Sequence, residues 1–365
     1  MLFQSSLRKE LSRSFGATLV VLLTIVMTMV LIRTLGMAYK GRVNPSEVFL
    51  VMAYTALGYM PTILSLSLFA SIVGTLSRMY RDSEMVIWFA SGRGLGEFVR
   101  PLFRFAWPVL LLIAALALFG WPWANSQTQG MREQYERRGD LDRVAPGEFQ
   151  ESASRNRVFF IDKDTVDGNT ASNIFISSIE HNVQTVTSAQ KGHIEAIKDS
   201  RFLILNNGHR LERQLDGKGL RISEFDEYGA KVGKSAAAAP DLPQPRTQTS
   251  YALLRQPSAA NMAELGWRIG MLFAGINFVL LALSVSSVNP RVGQSGNLLF
   301  ALFAFVIYFN LLNLGQSWVS SGRFSMLGFM LLLHGGVFVL ALLWLGKRHN
   351  NWTLPRLRGP RKADA

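Results

Sequence analysis

Apolar residues follow two patterns along this chain. Toward both ends they form runs of about 20 residues nearly free of charge, long enough for a helix to cross a bilayer. Six such runs can be marked, at approximately 15–35, 50–76, 102–124, 267–288, 298–318 and 326–346. Pro61 lies in the second and Pro108 in the third, where membrane helices accommodate proline with a kink. Between the third and fourth runs the pattern shortens to alternation. RVFFIDKD (157–164), NIFISSIE (173–180), GHIEAIKD (192–199), RFLILNNGHRLE (201–212) and LRISEFDEY (220–228) are rich in Val, Ile and Phe. They predict strands, and DGN, NNG and DGKG read as hairpin turns between some of them. AAAAPDLPQP (236–245) reads as a loop or linker.

The predicted fold is therefore membrane α-helical, with six transmembrane helices, plus an external antiparallel β domain of sandwich or jelly-roll type. The expected domains are an N-terminal transmembrane half (1–124), the β domain (125–262), a C-terminal transmembrane half (263–346) and a basic tail (347–365). The first apolar run, Phe15 to Ile32, is too long for the core of a cleavable signal and reads as a retained anchor.

Charge sets the orientation. The chain of 365 residues carries a net +13. Its cations flank the spans, among them Arg8, Lys9, Arg13, Arg78, Arg81, Arg100, Lys347 and Arg348, and no base-stacking motif accompanies them. This placement favours cytoplasmic flanks beside anionic lipid over nucleic-acid binding. The short loops on the opposite side hold only Lys40, Arg42 and Arg323, so both termini are expected in the cytoplasm and the β domain outside.

The chain has no cysteine, which excludes disulfides, thiolate metal sites and cysteine nucleophiles. H-E-x-x-H and G-x-S-x-G are absent, and His181, His193, His209, His334 and His349 are scattered. His334, inside the last span, reads as a helix-bonding histidine, or else as a relay or ligand. GAKVGKS (229–235) is one residue short of a phosphate loop, and GRGLGE (92–97) follows no strand. No catalytic, metal or cofactor site is expected.

Two stretches are more informative. In RMYRDSEMVIWFASGRG (78–94), Met79, Met85, Val86 and Phe89 are apolar at helical spacing beside Arg81, Asp82 and Glu84. That suits a short helix across the membrane face offering an acidic residue to a partner, or a solvated connection. At the end of the first span, Arg33 and Lys40 share a helix face, two turns apart, with Arg42 following. They are either snorkelling anchors or a cationic cluster holding an anionic headgroup.

With LIRTLG (31–36), SEMVIWFASG (83–92), PLFRFA (101–106), GEFQES (147–152), VFFID (158–162), LGWRI (265–269) and LALSVSSVNPRVGQ (281–294), the chain resembles the lipopolysaccharide-export permease family (LptF/LptG, YjgP/YjgQ type), closer to its LptF branch. The resemblance implies a bacterial inner-membrane permease without catalytic activity of its own. It implies pairing with an LptG-type permease, drive from an LptB-type ATPase dimer, and transfer of lipopolysaccharide through a periplasmic β-jelly roll to LptC- and LptA-type bridge proteins. Arg33, Lys40 and Arg42 would meet the lipid A phosphates. Glu84, with Arg81 and Met85, would lie on a coupling helix at about 80–92. Strand alternation, not the resemblance, sets Phe160 and Phe175 facing inward, where they would shield acyl chains in the β domain. The competing reading is a non-transporting membrane scaffold or sensor.

Overall fold

In a bilayer each backbone N–H and C=O needs a partner within the protein, so long apolar segments become helices. The computed structural model describes residues 2–39, 43–92, 94–137, 149–151, 157–160, 162, 170–180, 182–197, 200–215, 219–234, 244–286 and 293–349. Among them, six helices are long and apolar enough to span a membrane: Ser5–Tyr39, Val48–Arg81, Leu95–Gln134, Ala259–Val285, Gly296–Ser320 and Met326–Arg348. The chain divides into two units. One holds 1–29, 54–126 and 244–365; the other holds 30–53 and 127–243.

The helical elements are α1 (Leu2–Tyr39), α2 (Val48–Arg81), α3 (Glu84–Ala90), α4 (Val99–Ala115), α5 (Trp121–Arg137), α6 (Ser250–Arg255), α7 (Ala259–Val285), α8 (Gly293–Ser320), α9 (Met326–Met330) and α10 (Gly336–His349). Single π turns, Leu116–Gly120 and Leu331–Gly335, join α4 to α5 and α9 to α10. The third span differs from its expected end at 124, because α5 runs on to Arg137. Hydropathy falls along QTQGMREQYER, but once a helix is nucleated each further residue adds a hydrogen bond, and Gln, Met, Arg and Glu propagate it well.

The core of the first unit forms around α7. A helix that is apolar on all sides is an interior one, and α7 buries most of its residues, including Met271, Phe278 and Leu283. Phe278 stacks on Phe69 of α2 at 4.9 Å and meets Phe305 and Tyr308 of α8 at 5.1 Å. Small residues let neighbours close in: a Cβ on Gly275 would stand 2.7 Å from Leu110, and one on Gly315 would stand 1.7 Å from the Phe329 ring.

The second unit holds a six-stranded antiparallel sheet in chain order. Its strands are β1 (Gln150–Glu151), β2 (Arg157–Phe160), β3 (Thr170–Glu180), β4 (Val183–Ile197), β5 (Ser200–Gln214) and β6 (Leu220–Lys234). A membrane helical region plus an antiparallel β domain is thus the architecture. The described strands pair only with their chain neighbours, as a meander. NNG does not turn the chain; it lies within β5, with Asn207 in the left-handed region at φ 52°. Gly208 is required there, since a Cβ would meet Ser188 O at 2.3 Å and the Phe225 ring at 2.5 Å. Residues 229–234 of GAKVGKS belong to β6, so this stretch cannot be a loop around phosphate. DGN lies outside the described residues.

The facing of the sheet corrects the sequence. Phe159, Ile174, Ile176, Ala189, Leu203 and Leu205 form its buried cluster, with Phe225 and Tyr228 against it. Phe160 and Phe175 pair directly opposite each other one position out of phase, and so lie on the other face. There Phe149 packs on Phe160 at 4.7 Å and edge-on to Phe175 at 6.2 Å. Side chains alternate with a period of two, so a shift of one residue exchanges the faces.

Two stability outcomes follow. Phe159→Ala is expected to cost about 3–5 kcal/mol and Phe160→Ala less than half of that, measured by thermal unfolding and limited proteolysis of the full chain in detergent. Equal losses would contradict the facing. Gly315→Ala is expected to cost about 1–3 kcal/mol by overpacking, whereas Gly346→Ala, where a Cβ meets nothing within 4 Å, should leave the melting temperature within a degree or two of the parent.

Candidate functional site

Four places bear on function. The first is α1. It is fastened near its start, where Leu7 and Leu11 enter the core, Glu10 is ion-paired with Arg78 of α2, and Phe15 meets Phe105 of α4 edge-on at 6.2 Å. Farther along, Val20, Val21, Ile25, Met29, Ile32 and Leu35 are exposed. Only 6 % of its most apolar stretch is buried, against 67 % for α2 and for α7. Arg33 stands one turn beyond Met29 on the same exposed side, while Val30 and Thr34 are covered. Of the three expected phosphate-binding cations, Arg33 is described; Lys40 and Arg42 lie outside the described residues. An apolar helix face ending in a guanidinium can take an amphiphile with an anionic head. α8 has a comparable face, with Leu299, Phe303, Val306 and Ile307 exposed and Phe305, Tyr308 and Leu312 buried behind them.

The second place is the turn after α2. Ser83 takes a left-handed φ of 60° and starts α3. Arg78 gathers three carboxylates, bonding Glu10 and reaching Asp82 and Glu84 at 3.0 Å each. Arg81 pairs with Asp82 at 3.1 Å. The hydrogen bond from Arg81, and after it that from Arg78, holds the Asp82 carboxyl below its ordinary range. Met85, one of the apolar positions marked on this helix, is fully buried in the core and anchors α3. The residues offered outward are Val86 and Ile87, 63 % and 67 % exposed, with Glu84 partly exposed beside them. Phe89 packs near Tyr80 at 6.3 Å.

Sequence reasoning missed two further places. At the start of α7, Arg268 is fully buried. It donates to Glu264 Oε1 at 3.0 Å, Ser250 Oγ at 2.9 Å, and the carbonyls of Gln248, Pro245 and Arg246. Glu264 also accepts from Trp121 Nε1 and Gln316 Nε2, both at 2.9 Å. The signal was an acid and a base four residues apart inside an apolar span.

At the other end of α7, Arg348 of α10 donates to the carbonyls of Ser284 (2.7 Å), Ser286 (2.9 Å) and Leu283 (3.3 Å), and to Tyr80 Oη at 3.1 Å. Between the two, Asn277 bonds Tyr308 Oη at 2.9 Å and the His334 carbonyl at 3.0 Å, and the Tyr308 hydroxyl lies 2.6 Å from His334 Nδ1. His334 is thus a helix-bonding residue. Among the described residues no cluster of three or more His, Asp or Glu could hold a metal ion.

Comparison with known proteins agrees with this architecture. The chain is 28 % identical over 307 residues to the lipopolysaccharide export system permease protein LptF of Escherichia coli strain K12, covering 82 % of this chain and 82 % of that one. The LptF of Shigella flexneri matches to the same extent. The family profile for the lipopolysaccharide export system permease LptF/LptG matches residues 6–348. Six apolar helices, an inserted antiparallel sheet and a match over nearly the whole length place this chain in the LptF/LptG lipopolysaccharide export permease family.

Proposed function

We propose that this chain is one permease subunit of an ABC-type exporter that lifts lipopolysaccharide out of the bacterial inner membrane. In this reading both termini are cytoplasmic and the sheet is periplasmic. The chain works as an N-terminal helical half (1–124), a β domain (125–262), a C-terminal helical half (263–346) and a basic tail (347–365). The observation that carries the reading is α1, a span covered on one side, at Val30 and Thr34, whose other side is an open apolar face running to Arg33.

The load explains the design. Each buried CH₂ is worth about 0.8 kcal/mol, so one acyl chain of a dozen carbons represents about 10 kcal/mol. Several such chains cannot be drawn into water without a continuous apolar route and an outside source of work. The open faces of α1 and α8 supply half of that route, and an LptG-type sibling supplies the rest. Arg33, with Lys40 and Arg42, holds the lipid A phosphates by charge-assisted bonds, which strengthen near the low-dielectric membrane.

Work comes from an LptB-type ATPase dimer docked on α3. Val86 and Ile87 enter its groove, and Glu84 exchanges its bond with Arg78 for one to the ATPase. Beyond the membrane, the buried face of the sheet, with Phe159, Ile174, Ile176, Leu203 and Leu205, shields acyl chains on the way to LptC- and LptA-type bridge proteins.

Arg33→Glu is expected to reduce lipopolysaccharide co-purifying with the assembled complex at least tenfold, since a charge-assisted bond is worth about 1.5–3 kcal/mol. Unchanged retention would reject the phosphate role, and an assembled complex that never carries lipopolysaccharide would favour a scaffold. Ile87→Asp and Glu84→Ala are expected to weaken capture of the ATPase while the permease pair stays intact. Normal co-purification of the ATPase with both variants would remove α3 from that interface.

A further inference from the structure

We propose that α7 is a transmission strut, and that Arg348, acting through Tyr80, is the positioning residue that joins it to the coupling helix. The inference rests on the exporter reading above. It concerns how motion at α3 reaches the outer side of the membrane, and it is carried by the contacts at the two ends of α7.

The inner end is built from four elements. The last carbonyls of a helix lack partners within it and carry the negative end of its dipole. At α7 these are met by a cation from another helix: one nitrogen of Arg348 serves Leu283, Ser284 and Ser286. The second nitrogen reaches Tyr80 Oη on the last turn of α2, with the guanidinium carbon 5.8 Å from the Tyr80 ring centre. Tyr80 in turn packs against Phe89 of α3. A displacement of α3 therefore bears on Tyr80, and through the planar fork of Arg348 on the end of α7. Lysine cannot replace that fork, because its ammonium is a single point of charge.

The shaft suits the role. Its 27 residues make a rod of roughly 40 Å. It contains no proline and no π turn, whereas α2 carries Pro61, α4 carries Pro108, and both the α4–α5 and α9–α10 helices are interrupted by π turns. Helices bend at such places. The rod is also fixed midway by Asn277 to Tyr308 and to the His334 carbonyl. Its outer end grips the chain that returns from the sheet, residues 245–250, through Arg268. A push at the inner end therefore moves α7, α8, α10 and that returning segment as one body. Breaking the Glu264–Arg268 pair leaves an uncompensated buried charge and threatens folding itself, so the outer end is a poor place to test the idea.

The test uses the full complex of permease pair and ATPase in proteoliposomes. It measures lipopolysaccharide released to a soluble acceptor per ATP hydrolysed. Arg348→Lys keeps the cation at the helix end, and Tyr80→Phe keeps the ring on Phe89; each removes the link between the two. Both should hydrolyse ATP at near the parent rate while release per ATP falls at least fivefold. The double variant should be no worse than the worse single one, since both break one connection. A purely structural role would lower assembly and both rates together and leave the ratio unchanged. An unchanged ratio in either variant, or losses that multiply in the double variant, overturns the proposal. Should the parent complex itself hydrolyse ATP without releasing lipopolysaccharide, the exporter reading fails instead.

Discussion

A guanidinium with no exposed surface, inside an apolar helix bundle, has to find all its acceptors within the protein. Unmet, it would cost more than most of the packing around it returns. Arg268 meets this demand with the carboxylate of Glu264, the hydroxyl of Ser250 and three carbonyls of the returning chain. Trp121 and Gln316 then complete Glu264. The pair thereby fixes where the chain re-enters the helical unit, which way α6 leads into α7, and how α5 and α8 approach. Much of the unit's geometry can be traced outward from it.

The same unit separates what is finished from what is left open. α7 is closed on nearly all sides. α1 and α8 are closed on one side and apolar on the other, so the uncovered sides face lipid, cargo or a second subunit. A transporter that handles greasy cargo needs both kinds of helix: a closed one that keeps its shape under load, and open ones whose faces can trade one apolar neighbour for another at little cost. Polar bonds concentrate on the closed helix because hydrogen bonds are directional and hold a register, which apolar contact does not.

The six spans and the strand-rich middle were legible because hydropathy and a period of two survive in any context. Phase was less so. Phe159 and Phe160 are adjacent and alike, and alternation alone cannot say which of them is buried. Met85 raised the same problem on α3, where apolar spacing marks a helix but not which of its residues anchor it. The first half of β4, VQTVTSAQ, escaped notice because its Thr, Ser and Gln give little apolar contrast, although Val183 to Ala189 pair residue by residue with both β3 and β5. Of the candidate site, the short helix α3 and Arg33 at the end of the first span could be marked in the sequence. Arg348 was not: read along the chain it is one more basic residue after a span, and its role depends on α2, α7 and α10 meeting in space.

The central claim is that a phosphate-bearing glycolipid travels along the open face of α1. A photo-crosslinker placed in turn at Val21, Ile25, Ile32 and Leu35 on that face, and at Val30 and Thr34 on the covered one, tests it most directly in the assembled, ATP-driven complex. The account predicts adducts with lipopolysaccharide at the four open positions, changing in yield when ATP is supplied, and none at the two covered positions. Adducts with bulk phospholipid alone at the open positions, indifferent to ATP, would contradict it.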